Sequence, residues 1–163
     1  MVSITLATGD HLPRVLEIMK ESVSPVWTSS ALLHEMQKGD SLFIVAVADG
    51  NETGNSSLCA QDREPSPVLL GFAVFRQVGD DGELLQIAVD KSARRKGVGG
   101  LLLRAALDYA GDNMLKSVFL EVRESNEAAV RLYKKHGFSL LRVRKDYYDS
   151  PSEDALVMKR VLE

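Results

Sequence analysis

The sequence predicts a mixed α/β sheet built as one domain. Three observations predict it: a length of 163 residues, which suits a single core; apolar runs with strand-like alternation or β-branched content; and amphipathic stretches of helical period set between them. No internal repeat or linker divides the chain, so residues 1–163 are read as one unit.

In chain order, Val2 to Leu6 alternates weakly and forms a short strand. Asp10 caps a helix from about His11 to Ser22, with Pro13 tolerated in its first turn. Ser24 to Ser30 is a loop, and Ser29 or Ser30 caps a second short helix that reaches about Lys38 and stops at Gly39. The apolar runs Leu42 to Ala48 and Val68 to Val78 pair as a hairpin. Between them, 49–67 is rich in Asn, Ser, Asp, Glu and Pro, which marks a flexible, solvated insertion. Glu83 to Val89 is the next strand, Lys91 to Gly100 a basic loop, Leu101 to Ala110 a helix, and Lys116 to Arg123 an alternating strand. Asn126 to His136 sets Ala129, Leu132, Tyr133 and His136 on one helical face, and Gly137 supplies the left-handed turn at its end. Phe138 to Lys145 and Ala155 to Val161 close the domain as antiparallel partners.

Composition removes several function classes. Hydrophobic residues at 45% and charged residues at 26% describe a globular chain, not a disordered or collagen-like one. The 20 basic and 23 acidic side chains leave a net charge of −3, so no basic excess draws the chain to nucleic acid or an anionic membrane. The lone Cys59 makes no internal disulfide, and His11, His34 and His136 lack metal-ligand spacing, so no metal is expected. No basic segment followed by an apolar stretch opens the chain, which makes the cytoplasm the expected compartment. The glycosylation triplets at Asn51 and Asn55 are then chance matches.

The sharpest local signal is Ile87-Ala-Val-Asp-Lys-Ser-Ala-Arg-Arg-Lys-Gly-Val-Gly-Gly100: a buried strand, a basic turn and close glycines directly before a helix. Glycines let backbone N–H groups approach an anion without a Cβ clash, and a helix N-terminus adds unpaired donors and a favourable dipole. Leu102 stands where a dinucleotide fingerprint needs its third glycine, and no Gly-Lys-Ser/Thr follows, so neither an NAD site nor a Walker loop fits. On its own, the run reads equally as a solvated basic turn.

A second segment adds to it: Phe119-Leu-Glu-Val-Arg-Glu-Ser-Asn126, a strand that ends just before the helix carrying Tyr133. Together the two segments resemble the acetyl-CoA core of the GNAT N-acetyltransferases. More narrowly, Trp27, Ile87-Ala-Val-Asp90, Leu120-Glu-Val-Arg-Glu-Ser-Asn126 and Lys145-Asp-Tyr-Tyr148 are similar to ribosomal-protein alanine N-acetyltransferases of the RimI type. The resemblance implies a mostly antiparallel sheet of about seven strands with helices on both faces. It also implies acetyl-CoA as donor, with Arg94, Arg95, Lys96, Gly97, Val98, Gly99 and Gly100 around its pyrophosphate and Ile87, Ala88 and Val89 along its pantetheine arm through main-chain groups. Asn126 would bond the arm or simply cap its helix.

The same resemblance assigns the chemistry. Glu121 would take the amine proton, and Tyr133 would return a proton to the departing thiolate. Each has a plainer reading: Glu121 in a cross-strand ion pair with Arg123 or Arg142, and Tyr133 as a core aromatic bonded to a carbonyl. Trp27 and Tyr147 fall where the family holds its acceptor, although both also suit loop packing. The implied acceptor is a protein N-terminal α-amine, most simply the terminal alanine of a small-subunit ribosomal protein. A small-molecule amine and a noncatalytic acetyl-CoA-binding module are the alternatives. Cys59, in a polar insertion, is a poor acyl carrier, so direct attack is expected.

Overall fold

A computed structural model describes residues 1–22, 25–50 and 67–162. The elements are β1 (Val2–Leu6), α1 (Leu12–Ser22), α2 (Ser29–Gln37), β2 (Ser41–Ala48), β3 (Val68–Val78), β4 (Asp81–Val89), α3 (Val98–Asp112), β5 (Ser117–Arg123), α4 (Glu127–Lys135), β6 (Ser139–Tyr148) and β7 (Glu153–Val161). Seven strands form one sheet in the order β1-β2-β3-β4-β5-β7-β6. Every neighbouring pair is antiparallel except β4 and β5. Most of the expected insertion, with Cys59, Asn51 and Asn55, lies outside the described residues.

Three boundaries differ from the expectation. Asp10 sits inside a short 3-10 turn, and Thr8 caps it, with its backbone N–H donating to His11 Nδ1 at 2.9 Å. Thr28, not Ser29 or Ser30, caps α2 by accepting from Ala31 N–H at 3.1 Å. Helix α3 begins at Val98, so Gly99 and Gly100 lie in its first turn rather than in the loop. Packing of Leu102, Leu103, Ala106 and Ala110 overrides the weak helix propensity of glycine there.

Strand alternation splits the core in two. Phe43 and Val45 of β2 and Phe72 and Val74 of β3 meet Leu12, Val15, Ile18 and Met19 of α1 and Leu32 of α2. Their neighbours Ile44, Ala46, Ala73 and Phe75 face the other way, against Leu102, Leu103 and Ala106 of α3. Each large side chain so buried contributes about 1.5–3 kcal/mol. Glu35 anchors α2: its carboxylate accepts from Arg76 of β3 at 2.9 and 2.6 Å, from Lys38 at 3.2 Å and from the Ser41 hydroxyl. The cluster beneath α1 and α2 takes no buried residue from β5, β6 or β7. Among the described residues, no helix packs on that half of the sheet on the α1 side.

The sheet parts at its centre. β4 and β5 pair only from Asp81/Ser117 to Leu84/Leu120. On the other edge of β4 the register with β3 steps from Phe75↔Leu84 to Val74↔Gln86, leaving Leu85 as an extra residue. Such a bulge bends its strand and ends regular pairing. Beyond it β4 stays with β3 and departs from β5.

Candidate active site

The parting of β4 and β5 makes a cleft of about 140 Å³, lined by Gln86 and Ile87 on one wall and by Glu121, Asn126, Tyr133 and Tyr148 on the other. Among the described residues, the β5-facing backbone groups of β4 beyond Leu84 have no strand opposite them. A ligand arm with its own amide groups suits such a strand edge. The side chains of Ile87 and Val89 pack towards the α3 cluster and Ala88 towards the α1 cluster, so only their main chain faces outward.

At the end of β4 the chain turns into an anion cradle. Asp90 accepts from Ser92 N–H at 2.9 Å and pairs with Arg14 of α1, which fixes the turn Lys91–Ala93. Arg94 donates to Val89 O at 3.1 Å and to Ser22 Oγ at 2.8 Å, so its guanidinium ties the loop back to α1. Arg95 then takes φ 60° and Gly97 φ 83°. A left-handed non-glycine residue stores about 1–2 kcal/mol of strain, a usual mark of a functional loop. Val98 opens α3 directly afterwards, and Arg95 and Lys96 are exposed, with no ion pair among the described residues. Two left-handed residues, two uncommitted cations and a helix N-terminus suit a diphosphate. Gly99 and Gly100 face Leu132 of α4 and His136 just beyond its end.

On the opposite wall, alternation turns Val118, Leu120 and Val122 into the α3 core and leaves Phe119, Glu121 and Arg123 on the open face. Glu121 accepts a charge-assisted bond from Arg144 of β6, whose guanidinium lies 4.4 Å from the Tyr147 ring centroid. The ion pair expected with Arg123 or Arg142 is therefore made with a third arginine. Arg123 instead donates to Glu153 at 3.2 Å and covers the Tyr148 ring at 4.2 Å. Glu153 also accepts from Ser125 N–H at 2.5 Å, which braces the entry to α4. Asn126 caps α4 by accepting from Ala129 N–H at 3.2 Å.

Tyr133 is buried, edge-on to Phe138 at 5.9 Å. Its hydroxyl makes no hydrogen bond among the described residues, yet it is not among sealed unsatisfied atoms, so its oxygen opens into the cleft that it lines. The carbonyl partner of the plainer reading is absent among the described residues. Burial, with Tyr148 adding to it, holds this phenol well above its ordinary range. The Tyr147 phenol is raised chiefly by its hydrogen bond to Glu121, and that of Tyr148 chiefly by burial.

Residues 12–138 match the acetyltransferase (GNAT) family. The chain belongs to this family. It is 36% identical over 94% of its length to an uncharacterized protein of Mycobacterium leprae, of which the match spans only 42%. It is 37% identical to the [ribosomal protein bS18]-alanine N-acetyltransferase of Salmonella typhimurium, over 64% of this chain and 68% of that protein. Among solved structures, the ribosomal-protein-S18-alanine N-acetyltransferase of Escherichia coli superposes with a TM-score of 0.79 and 26% identity, covering 100% of this chain and 95% of that one. Ard1 of Thermoplasma volcanium gives 0.82 and 27%, covering 99% and 98%. The mixed, mostly antiparallel sheet with helices on both faces is thus the GNAT fold, as the sequence resemblance implied.

Within this GNAT cleft, Glu121, Tyr133, Asn126 and Ile87 converge. Trp27 does not line it. It packs half-buried against the α1 cluster, its backbone N–H 3.2 Å from Met19 Sδ. Tyr147 stacks on Arg144 at the rim, and Tyr148, which sequence reasoning passed over, is the aromatic that enters the cleft. Alternation does not separate the pair: Asp146 takes φ 49° and the β6–β7 register shifts between Arg144 and Tyr148, so the two rings meet edge-on at 5.0 Å and period-two reasoning had no means of choosing between them. Arg144 and Ser22 were also missed, because each is recruited by contacts distant in sequence.

Proposed function

We propose that this GNAT enzyme transfers acetyl from acetyl-CoA to a protein N-terminal α-amine, with the alanine terminus of a small-subunit ribosomal protein as the preferred acceptor. One observation carries the reading: a carboxylate and a protonated phenol line the same cleft, at the point where β4 leaves β5. The bS18-alanine N-acetyltransferase named among the relatives supports the choice of acceptor.

The donor fits the residues present. Arg95, Lys96 and the N–H groups from Gly97 to Gly100 hold its pyrophosphate, the main chain of Ile87, Ala88 and Val89 and the Asn126 side chain hold its arm, and the bound donor supplies an activated thioester. Arg94 shapes the cradle through Val89 and Ser22. An α-amine, with a pKa of about 8, is mostly protonated at neutral pH. Glu121 accepts a proton, directly or through a water, and leaves a nitrogen lone pair for attack. The new N–C bond forms as the C–S bond breaks, the amine nitrogen loses its second proton to solvent, and Tyr133 protonates the sulfur. Because burial keeps its phenol protonated, Tyr133 remains an acid through the neutral and mildly alkaline range in which the acceptor loses its proton.

The test is mass spectrometry of acetyl-CoA reactions with peptides beginning Ala, Ser, Met and Gly, beside an N-blocked lysine peptide and a panel of small amines. Peptide N-termini, Ala first, should give the largest kcat/KM. Faster turnover of a small amine would replace this acceptor, and coenzyme A binding without any turnover would replace the enzyme reading.

A further inference from the structure

Glu121 does not face the incoming acceptor alone. Arg144 reaches its carboxylate from β6, two strands away, and this contact depends on a local irregularity. The β6–β7 register runs from Leu140↔Met158 to Arg142↔Val157, leaving Leu141 unmatched. Leu140 is paired with Met158, whose side chain is buried in the α3 cluster, and so lies on that face of the sheet. A regular strand would place Arg142 and Arg144 on that face too, and the extra residue turns both onto the face of Glu121. Ala155 lies between Arg123 and Arg144 in the cross-strand row, and its small side chain leaves room for a guanidinium to reach over β7. Side-chain exposures of 43% for Arg144 and 25% for Glu121 put the pair at the mouth of the cleft, where an acceptor arrives.

The other charges nearby are committed elsewhere or stand further off. From β5, Arg123 is held by Glu153 of β7 and by the Tyr148 ring. From β4, Glu83 borders the groove that continues past Glu121, with Arg142 of β6 across from it. Tyr133 of α4 and Tyr147 and Tyr148 of β6 are neutral phenols with raised pKa values. Arg144 is the cation in hydrogen-bond contact with Glu121.

A carboxylate carrying a guanidinium still has lone pairs for a proton, but it offers an approaching ammonium no net attraction. Such a site gathers no ammonium in advance, so turnover follows how readily each acceptor gives up its proton to Glu121. With ordinary pKa values of about 8 for an α-amine and about 10.4 for lysine, the neutral fraction at neutral pH differs by roughly two-hundredfold. We propose that Arg144 preserves this difference, and so directs the enzyme to N-terminal amines over lysine side chains, by cancelling the charge of Glu121 that would otherwise gather ammonium groups of either kind. Arg144 is a positioning residue, acting through Glu121, and the proposal rests on Glu121 being the proton acceptor.

The experiment measures kcat/KM from pH 6 to 9 for an Ala-starting peptide and for an N-blocked single-lysine peptide, with wild type, Arg144→Lys, Arg144→Gln and Arg144→Met. Calorimetric coenzyme A affinity confirms that each variant is folded. In the Gln and Met variants the α-amine over lysine ratio should fall about tenfold. Arg144→Lys should keep the ratio near wild type. An unchanged ratio in an active Gln or Met variant, with both peptides losing equally, overturns the proposal alone. Wild type that acetylates no peptide α-amine, or Glu121→Gln with undiminished kcat, defeats the underlying reading and the proposal with it.

Discussion

Replacing Glu35 with Gln removes the carboxylate that fastens α2 to the sheet. The side chain is only 4% exposed. Burial alone would raise its pKa, but the bonds from Arg76, Ser41 and Lys38 outweigh that effect and bring it from 4.5 down to about 2. At about 1.36 kcal/mol per unit, this displacement makes ionised Glu35 worth about 3 kcal/mol of stability. Because the folded-state pKa lies below the unfolded one, the contribution is complete above about pH 4.5 and disappears as pH falls towards 2. By pH 3 less than half of it remains. Urea unfolding at pH 7 should show Glu35→Gln less stable by about 3 kcal/mol with an unchanged m-value, equivalent to about 6–12 °C in Tm. At pH 3 the gap between wild type and variant should be less than half as large. A gap that stays constant from pH 7 to pH 3, or one below about 1 kcal/mol at pH 7, would refute the view that an ionised Glu35 holds α2 in place.

Four further outcomes follow from the site. Glu121→Gln and Tyr133→Phe should each lower kcat about a hundredfold or more, the usual scale of positioned acid–base help, with coenzyme A affinity retained in calorimetry; wild-type kcat in both would end the assigned mechanism. Since burial holds the Tyr133 phenol above its ordinary value of 10.0, the kcat profile should show no alkaline fall below pH 10, and a falling limb near pH 9 would point to another acid. Gly97→Ala forces a side chain onto φ +83° and should destabilise the fold by about 1–2 kcal/mol while weakening coenzyme A. In Gly99→Ala the new Cβ meets nothing nearer than Leu132 Cδ2 at 3.4 Å, so urea stability should hold and any lost coenzyme A affinity reports a clash with the ligand itself.

Much of this molecule is readable from local pattern. The strands from Leu42 to Ala48 and from Val68 to Val78 announce themselves because residues packed on both faces form long apolar runs, and the basic glycine turn at residues 94–100 has the chemistry of an anion cradle. What pattern could not give is the set of contacts decided by register. Arg123 of β5 and Arg142 and Arg144 of β6 all look eligible as partners of Glu121, and only the unmatched Leu141 brings the β6 pair onto its face, where Arg144 makes the contact. Arg94 carries the same lesson: in sequence it belongs with Arg95 and Lys96 as phosphate charge, whereas Val89 and Ser22 claim its guanidinium. Trp27 looked like an acceptor contact, and the apolar side of α1 gives it somewhere to pack.

The unmatched Leu85 also bears on how durable the cleft is. From that residue onward Ile87 and Val89 are committed to the hydrophobic cluster on one side of the sheet and Ala88 to the cluster on the other. Closing the ladder against β5 by slipping β4 one position would exchange these commitments and pull apart two interiors at once. The gap is therefore kept open from beneath, by oil-like packing remote from the reacting groups. Polar residues in its walls are free to change, and with them the chemistry and the acceptor, while the opening itself stays in place.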